Sequence, residues 1–191
     1  FSKNTIDENV IRVPVEQMNL DINKVLYLNE IDAEDSGILC GPKAANFARL
    51  KKMFPNQLVD GFVIPFAVFK DHMLQVIPGS DLTYWDFLTL SFKEINLLKE
   101  NGHDQKFIDS ITIGKLTELS TLIKKMPLKQ QLISQLENGF KEVLNADMGD
   151  LPVFLRSDTN MEDLKDFTGA GLNKTLFNVK EKSLIFFFKL S

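Results

Sequence analysis

Two short segments of the sequence carry the side-chain types that a polyphosphate site needs. The first is the segment 41–47, with Lys43 at the expected start of a helix. The second is the segment 156–163, which is followed by the glycine-rich stretch 169–171. An arginine offers a planar pair of donors, glycines allow close backbone approach, and carboxylates can hold the arginine or a magnesium hydration shell. Together these residues predict a cradle for a phosphorylated ligand.

Lys43 stands where a cation is unfavourable for the helix itself. Pro42 suits a first helical position, and the apolar positions that follow predict a helix from about Pro42 to Met53. A cation in the first turn opposes the helix dipole by about 0.3–1 kcal/mol, whereas a bound phosphate would meet both the ammonium and free backbone N–H groups. A lysine that simply extends into water is the alternative. The segment is not a Walker A loop, because Ala44 stands where a Ser or Thr would bind magnesium.

The second segment also has an ordinary structural interpretation. Thr159 and Glu162 have the spacing of a capping box on a short helix. Gly169 and Gly171 would then be turn residues, and Arg156 would be a surface ion-pair partner. Taken one at a time, the residues favour this interpretation. Their combination, beginning at the end of a strand, favours the phosphate cradle.

Composition argues against several classes of protein. Of the residues, 44% are hydrophobic and 25% are charged, which is typical of a folded globular domain. A net charge of −4 argues against a nucleic-acid surface, and no stretch reaches the ~18 apolar residues of a membrane helix. The single cysteine, Cys40, and the lack of a secretory apolar segment after Phe1 favour the cytoplasm. Because the chain lacks an initiator Met, we expect a fragment of a longer protein, forming one domain over residues 1–191.

The order of apolar segments predicts an α+β fold with α/β-like alternation of strands and helices. Four segments have strand character, namely 25–28, 62–64, 151–155 and 173–179. A helix is expected over about 67–76, and the stretch from about 81 to 148 is mostly helical by its spacing. In the last strand, Thr175, Phe177 and Val179 are predicted to share one face, since side chains alternate along a strand.

Both segments resemble a known family of phosphotransferases. Gly-Pro-Lys-Ala-Ala-Asn-Phe at 41–47 and Gly-Phe-Val-Ile-Pro at 61–65 are similar to the Gly-Gly-Lys-Gly-Ala-Asn-Leu and Gly-Phe-Val-Ile segments of the phosphoenolpyruvate synthase and pyruvate phosphate dikinase family. Arg-Ser-Asp-Thr-Asn-Met-Glu-Asp at 156–163, with Gly-Ala-Gly at 169–171, resembles the family's Arg-Ser-x-x-x-x-Glu-Asp and Phe-x-Gly signature. The Ser-Asp-Thr-Asn wording is closest to the glucan water dikinase branch. The two blocks occur in the family's order.

The resemblance implies the first subdomain of an ATP-grasp nucleotide-binding fold, with the helical stretch 81–148 as an insertion. It implies a parent enzyme that uses ATP and magnesium to phosphorylate a histidine in a downstream domain, for transfer to pyruvate or a similar acceptor. By the match of motifs, Lys43 would contact ATP and Arg156 its phosphates. Glu162 and Asp163 would have orienting roles. The candidate nucleotide-binding residues are Lys43, Arg156, Ser157, Asp158, Thr159, Glu162, Asp163, Gly169 and Gly171.

Several features depart from the family pattern. Pro42 replaces a Gly and removes one N–H, and the tail 183–191 does not look like the helix that the family places there. Neither His72 nor His103 fits the phosphohistidine carrier, so no catalytic or metal-binding residue is assigned, and the isolated chain is expected to turn over no ATP. The sequence does not decide whether the phosphoryl acceptor is pyruvate, a glucan or an antibiotic, and it does not indicate the oligomeric state. A non-catalytic interaction domain, binding a partner through its helices, is the alternative function.

Overall fold

Five α-helices and four short strands make up the part of the chain that the structure describes. This structure is a computed structural model, and it describes residues 17–160 and 175–180. Both of its sheets are two-stranded and antiparallel, so the predicted α+β mixture of helix and strand is confirmed. Within these ranges, no helix is both long enough and apolar enough to cross a membrane. The tail 183–191 lies outside the described residues.

The first sheet consists of β1 and β2. β1 (Leu26–Tyr27) pairs with β2 (Phe62–Val63), so that Leu26 lies opposite Val63. Both strands fall inside the predicted segments but are shorter, and β1 runs directly into a 3-10 turn at Leu28–Glu30. The pairing brings together two segments that the sequence separates by α1.

α1 (Pro42–Met53) begins and ends where the sequence predicts. Two alanines, Ala45 and Ala48, form its fully buried face. The small side chains let the helix lie close to the apolar segment that precedes it. The cluster beneath α1 consists of Leu26, Leu28, Ile31, Leu39, Cys40, Ala45 and Ala48. This packing fixes the first turn of α1, which carries Lys43.

α2 (Phe66–Met73) is shorter than the predicted helix over 67–76. Its continuation is replaced by an isolated antiparallel bridge between Val76 and Thr83. The chain reverses between them at Gly79, whose positive φ of 80° suits glycine. The prediction was therefore wrong for the last residues of this helix, because the turn draws them into pairing with the start of α3.

The predicted helical stretch 81–148 contains three helices. They are α3 (Tyr84–Glu100), α4 (Gln105–Lys125) and α5 (Gln130–Leu144). The side chains of Thr83 and Asp104 accept hydrogen bonds from first-turn N–H groups of α3 and α4. Such N-caps satisfy backbone donors that have no partner within the helix, and they set where the two helices begin.

The three helices do not pack as one lobe. α3 and α4 lie side by side and join α2 through an apolar cluster of Met73, Ile77, Tyr84, Leu119 and Met126. α5 instead places Leu132 and Leu136 in a cluster whose edge includes Phe62 of β2. Phe140 of α5 contacts the second sheet. α5 is therefore shared by the packing of both sheets, whereas α3 and α4 form the more separate pair.

The second sheet consists of β3 (Val153–Arg156) and β4 (Thr175–Val179). Its register is irregular. Val153 pairs with Val179 and Leu155 with Leu176, so β4 has one more residue than β3 between these two pairs. The extra residue breaks the alternation, and Asn178 has a positive φ of 56°. The predicted common face of β4 is therefore wrong, since Val179 is buried while Phe177 is exposed.

Candidate functional site

The N-terminus of α1 is capped by a carboxylate from a distant part of the chain. Gly41 is the N-cap residue and has no side chain to offer, and the first turn contains no acidic residue. The backbone N–H of Lys43 donates to Oδ1 of Asp158 at 3.0 Å, and that of Ala44 donates to Oδ2 at 3.1 Å. Asp158 follows β3, 115 residues beyond Lys43 in sequence. One carboxylate thus satisfies two of the donors that a helix start leaves without partners.

The close contact between α1 and the chain after β3 depends on glycine at position 41. A β-carbon built on Gly41 would lie 2.7 Å from the carbonyl oxygen of Thr159 and would overlap the carboxylate of Asp158. The backbone of Gly41 is extended, with φ −80° and ψ 176°, so the requirement comes from space rather than from an unusual dihedral angle. Any larger residue must push the two segments apart.

The side chain of Lys43 turns toward the same segment. Its Nζ donates to the carbonyl oxygen of Ser157 at 3.3 Å, and Lys43 and Ser157 are both half-buried. Arg156, the preceding residue, ends β3 opposite Thr175, and its side chain is exposed. The structure therefore brings together Lys43 and the segment Arg156–Asp158, as the two predicted halves of a phosphate site require. Their binding of a phosphate stays a prediction.

Asp158 supplies the negative charge that the sequence led us to expect from a ligand. A lysine in the first turn of α1 is unfavourable for the helix dipole, and a carboxylate at the N-terminus offsets that effect. The N–H groups of Lys43 and Ala44 are engaged by this carboxylate in the structure. A phosphate near Lys43 would therefore have to bind to side chains. It could reach these two amides only by displacing Asp158.

The remaining predicted residues are only partly placed. Thr159 is exposed, and its carbonyl oxygen is the atom that lies against Gly41. The other four candidates lie outside the described residues, so the predicted capping box of Thr159 with Glu162 is not tested; the four are Glu162, Asp163, Gly169 and Gly171.

Cys40 lies directly before the glycine of this contact. Its thiol is buried, and burial together with the charges of Asp158 and Asp35 raises the pKa of Cys40 to about 12. A thiol with so high a pKa is a poor nucleophile, because the thiolate is the reactive form. Cys40 is thus a packing residue beneath α1.

His72 is a structural residue that joins two helices. It lies in α2 with its ring buried, and Nδ1 is 2.9 Å from the carbonyl oxygen of Val68. The backbone N–H of Lys129, the N-cap residue of α5, donates to Nε2 at 3.1 Å. Since Nε2 accepts this bond, the ring is neutral with its proton on Nδ1. His103, in contrast, is exposed in the turn before α4.

Two charged residues flank His72 and complete this polar contact. Asp71 forms an ion pair of 2.7 Å with the ammonium group of Lys129. Burial raises the pKa of Asp71, but hydrogen bonds from Lys129 and Asn23, together with the charge of Lys129, outweigh it, so the pKa is lowered overall. The contact holds α2 to the start of α5.

The described ranges contain no cluster of side chains that could form a metal site. Among residues 17–160 and 175–180, no group of three or more His, Cys, Asp or Glu side chains is placed to hold a metal ion. Magnesium therefore stays an expectation from the resemblance. Of the candidate residues with carboxylates, only Asp158 is described, and both of its oxygens accept from α1.

Comparison of the chain with models of protein families, with curated proteins and with solved structures finds no match in any of the three. The spatial meeting of the two motif segments is therefore the observation on which a functional proposal can rest.

The capping role of Asp158 and the need for Gly41 were not predicted from the sequence. A signal for both was present, because α1 has neither a capping side chain at position 41 nor an acid in its first turn. A buried helix start with neither feature requires a hydrogen-bond acceptor from elsewhere in the chain.

Proposed function

We propose that the chain is the ATP-binding N-terminal part of a phosphotransferase of the phosphoenolpyruvate synthase and pyruvate phosphate dikinase type, in the first subdomain of an ATP-grasp fold. The observation that carries the proposal is the hydrogen bond between Lys43 Nζ and the carbonyl oxygen of Ser157. It joins the two segments whose sequences resemble the family. They are 114 residues apart, so local sequence alone does not require them to meet.

In this proposal, Lys43 and Arg156 contact the phosphates of ATP through their side chains. Arg156 is exposed at the end of β3, where its guanidinium can form two parallel hydrogen bonds to a phosphate. Lys43 supplies a point charge through an ammonium group that contacts Ser157, the residue after Arg156. Asp158 has a positioning role, because it fixes the start of α1 relative to the end of β3.

The parent enzyme would use the bound ATP, with magnesium, to phosphorylate a histidine in a downstream domain. A further domain would pass the phosphoryl group to pyruvate, a glucan or another acceptor, in the cytoplasm. In this proposal the chain supplies positioned cations for one side of the nucleotide. Phosphoryl transfer depends on charges and metal ions that are positioned around the whole phosphate chain.

A non-catalytic interaction domain is the second candidate, and one observation favours it. The carboxylate of Asp158 already occupies the amides at the start of α1, which is what a purely structural contact requires. The α3 and α4 pair also exposes apolar side chains that a partner could cover. These are Leu90, Phe92, Leu97, Ile113 and Leu116.

Titration of the isotope-labelled chain with ATP and magnesium, followed by nuclear magnetic resonance, separates the two candidates. ATP binding should shift the amide signals of Lys43, Ser157 and Asp158 in a saturable way, and this readout detects weak binding. Arg156→Lys should weaken the response, because an ammonium group cannot reproduce a two-pronged contact. The matched control is Arg49→Lys, at an exposed position of α1.

The same titration can contradict the proposal. If ATP shifts no signals in these segments, or if Arg156→Lys and Lys43→Ala respond like the wild-type chain, the phosphate site is refuted. The contact around Asp158 would then be structural, as the interaction-domain candidate requires.

A further inference from the structure

The outer face of the second sheet carries two exposed aromatic rings in mutual contact. Phe154 of β3 and Phe177 of β4 are 66% and 69% exposed. Their ring centroids are 5.5 Å apart at an interplanar angle of 85°, which is an edge-to-face arrangement. The inner face of the sheet has the ordinary role of covering Phe140 of α5, through Val153, Leu155, Leu176 and Val179.

The folding of this sheet does not require Phe177 on the outside. The irregular register between β3 and β4 puts the partly buried Leu176 against the core and leaves Phe177 on the opposite side. Large apolar side chains stabilise a protein when they leave water, so two neighbouring exposed phenylalanines forgo that contribution. A perpendicular pair of this kind offers the face of one ring and the edge of the other, so a flat ligand can stack on one ring and contact the edge of its neighbour.

The position of Arg156 adds a charge to this surface. Side chains two residues apart on a strand share a face, so Arg156 projects from the same side of β3 as Phe154. The two positions are about 6.6 Å apart along the strand. Lys43 Nζ contacts the carbonyl oxygen of Ser157, the next residue. An aromatic pair thus shares a strand face with one cation, and a second cation contacts the residue that follows Arg156. A nucleotide, with a flat base and charged phosphates, has the chemistry that complements this combination.

We propose that Phe154 and Phe177 form the platform on which the purine base of a nucleoside triphosphate stacks, with the phosphates extending toward Arg156 and Lys43. This inference rests on the proposed function and names the base subsite of the same ligand. Stacking on aromatic rings uses the face of the base, which every base has. The platform itself therefore does not distinguish ATP from GTP.

Three probes test the platform on the complete 191-residue chain, namely ATP, adenosine and inorganic tripolyphosphate. Phe154→Leu and Phe177→Leu keep an apolar side chain in the strand and remove the aromatic face. Each should weaken ATP binding by about tenfold and leave tripolyphosphate binding unchanged. The matched control is Phe92→Leu, which changes a half-exposed phenylalanine on α3 and should leave both affinities unchanged.

Magnetic resonance adds a direct readout that does not depend on the fold of a variant. In the wild-type chain, ATP and adenosine should shift the ring signals of Phe154 and Phe177 and give through-space contacts from the base protons to those rings. Tripolyphosphate should shift the amide of Lys43 without these contacts.

The outcomes separate this inference from the proposed function. If ATP and tripolyphosphate both bind near Lys43 but the two Phe→Leu variants bind ATP like wild type, the platform is refuted while the phosphate site stands. The same holds if those substitutions alter only self-association, which would make the aromatic face a protein contact. If neither ATP nor tripolyphosphate binds, the proposed function and the platform are both refuted.

Discussion

A methyl group added at Gly41 probes the contact that holds the candidate site together. In Gly41→Ala, the new carbon would lie 2.7 Å from the carbonyl oxygen of Thr159. Ordinary carbon–oxygen contacts are about 3.3–3.6 Å, so the two segments have to separate by at least ~0.6 Å. Because Asp158 is overlapped as well, its hydrogen bonds to α1 would lengthen or break.

The expected destabilisation can be assembled from these contacts. Over-packing typically lowers the free energy of unfolding by about 1–3 kcal/mol, and loss of a helix cap lowers it by about 1 kcal/mol. Alanine restricts the unfolded chain and offsets about 0.4–1 kcal/mol of this. The net loss is therefore about 2 kcal/mol, which in a chain of this length lowers Tm by about 4–8 °C.

Gly114→Ala is the matched control for this substitution. Gly114 lies inside α4, and a β-carbon there would meet no atom within 4 Å. Alanine should raise the free energy of unfolding by about 0.5–1 kcal/mol, since it is the better helix former. Thermal and urea unfolding, followed by far-ultraviolet circular dichroism, measure both variants. If Gly41→Ala is as stable as wild type, or is stabilised like Gly114→Ala, the close contact between α1 and the chain after β3 is wrong.

Two further predictions concern ionisable groups. With a pKa of about 12, the thiol of Cys40 is ionised in only roughly one molecule in ten thousand at pH 8, so an aromatic disulfide reagent should modify it far more slowly in the native chain than in urea; equal rates would contradict its burial. The lowered pKa of Asp71 means that its contribution to stability is present above the unfolded value of about 3.9 and is lost as pH falls through the folded value. Asp71→Asn should therefore reduce the loss of urea resistance between neutral and acidic pH, and an unchanged pH dependence would show that the ion pair with Lys129 does not contribute.

Local signals predicted the helices well because the relevant interactions are close in sequence. Pro42 and the apolar spacing that follows it set the beginning of α1, and the observed bounds are the predicted ones. Thr83 and Asp104 have the residue types of N-caps, although the apolar spacing predicted only a mostly helical stretch there. The sequence did not predict that α5 packs on both sheets while α3 and α4 pack with α2, since this depends on which faces meet in three dimensions.

The contacts of the candidate site could not be predicted from local sequence. Lys43 without a nearby acid indicated a missing negative charge, and that inference was sound as far as it went. The charge is provided by Asp158, from 115 residues away, and no spacing rule connects the two positions. The exposure of Phe177 was likewise out of reach, because it follows from one extra residue in the pairing of β4 with β3. Both features belong to long-range contacts.

The same contact has a consequence for the order of folding. When Asp158 caps α1, it closes a loop that contains α2, α3, α4 and α5. Closure entropy rises by about 0.6 kcal/mol for each doubling of loop length, so a closure over 115 residues costs about 2 kcal/mol more than one over ten. The α3 and α4 pair, joined by a short turn, can form early, whereas the start of α1 acquires its cap only after the intervening helices have collapsed. We therefore expect the amides of Lys43 and Ala44 to be among the last to gain protection when refolding is followed by hydrogen exchange.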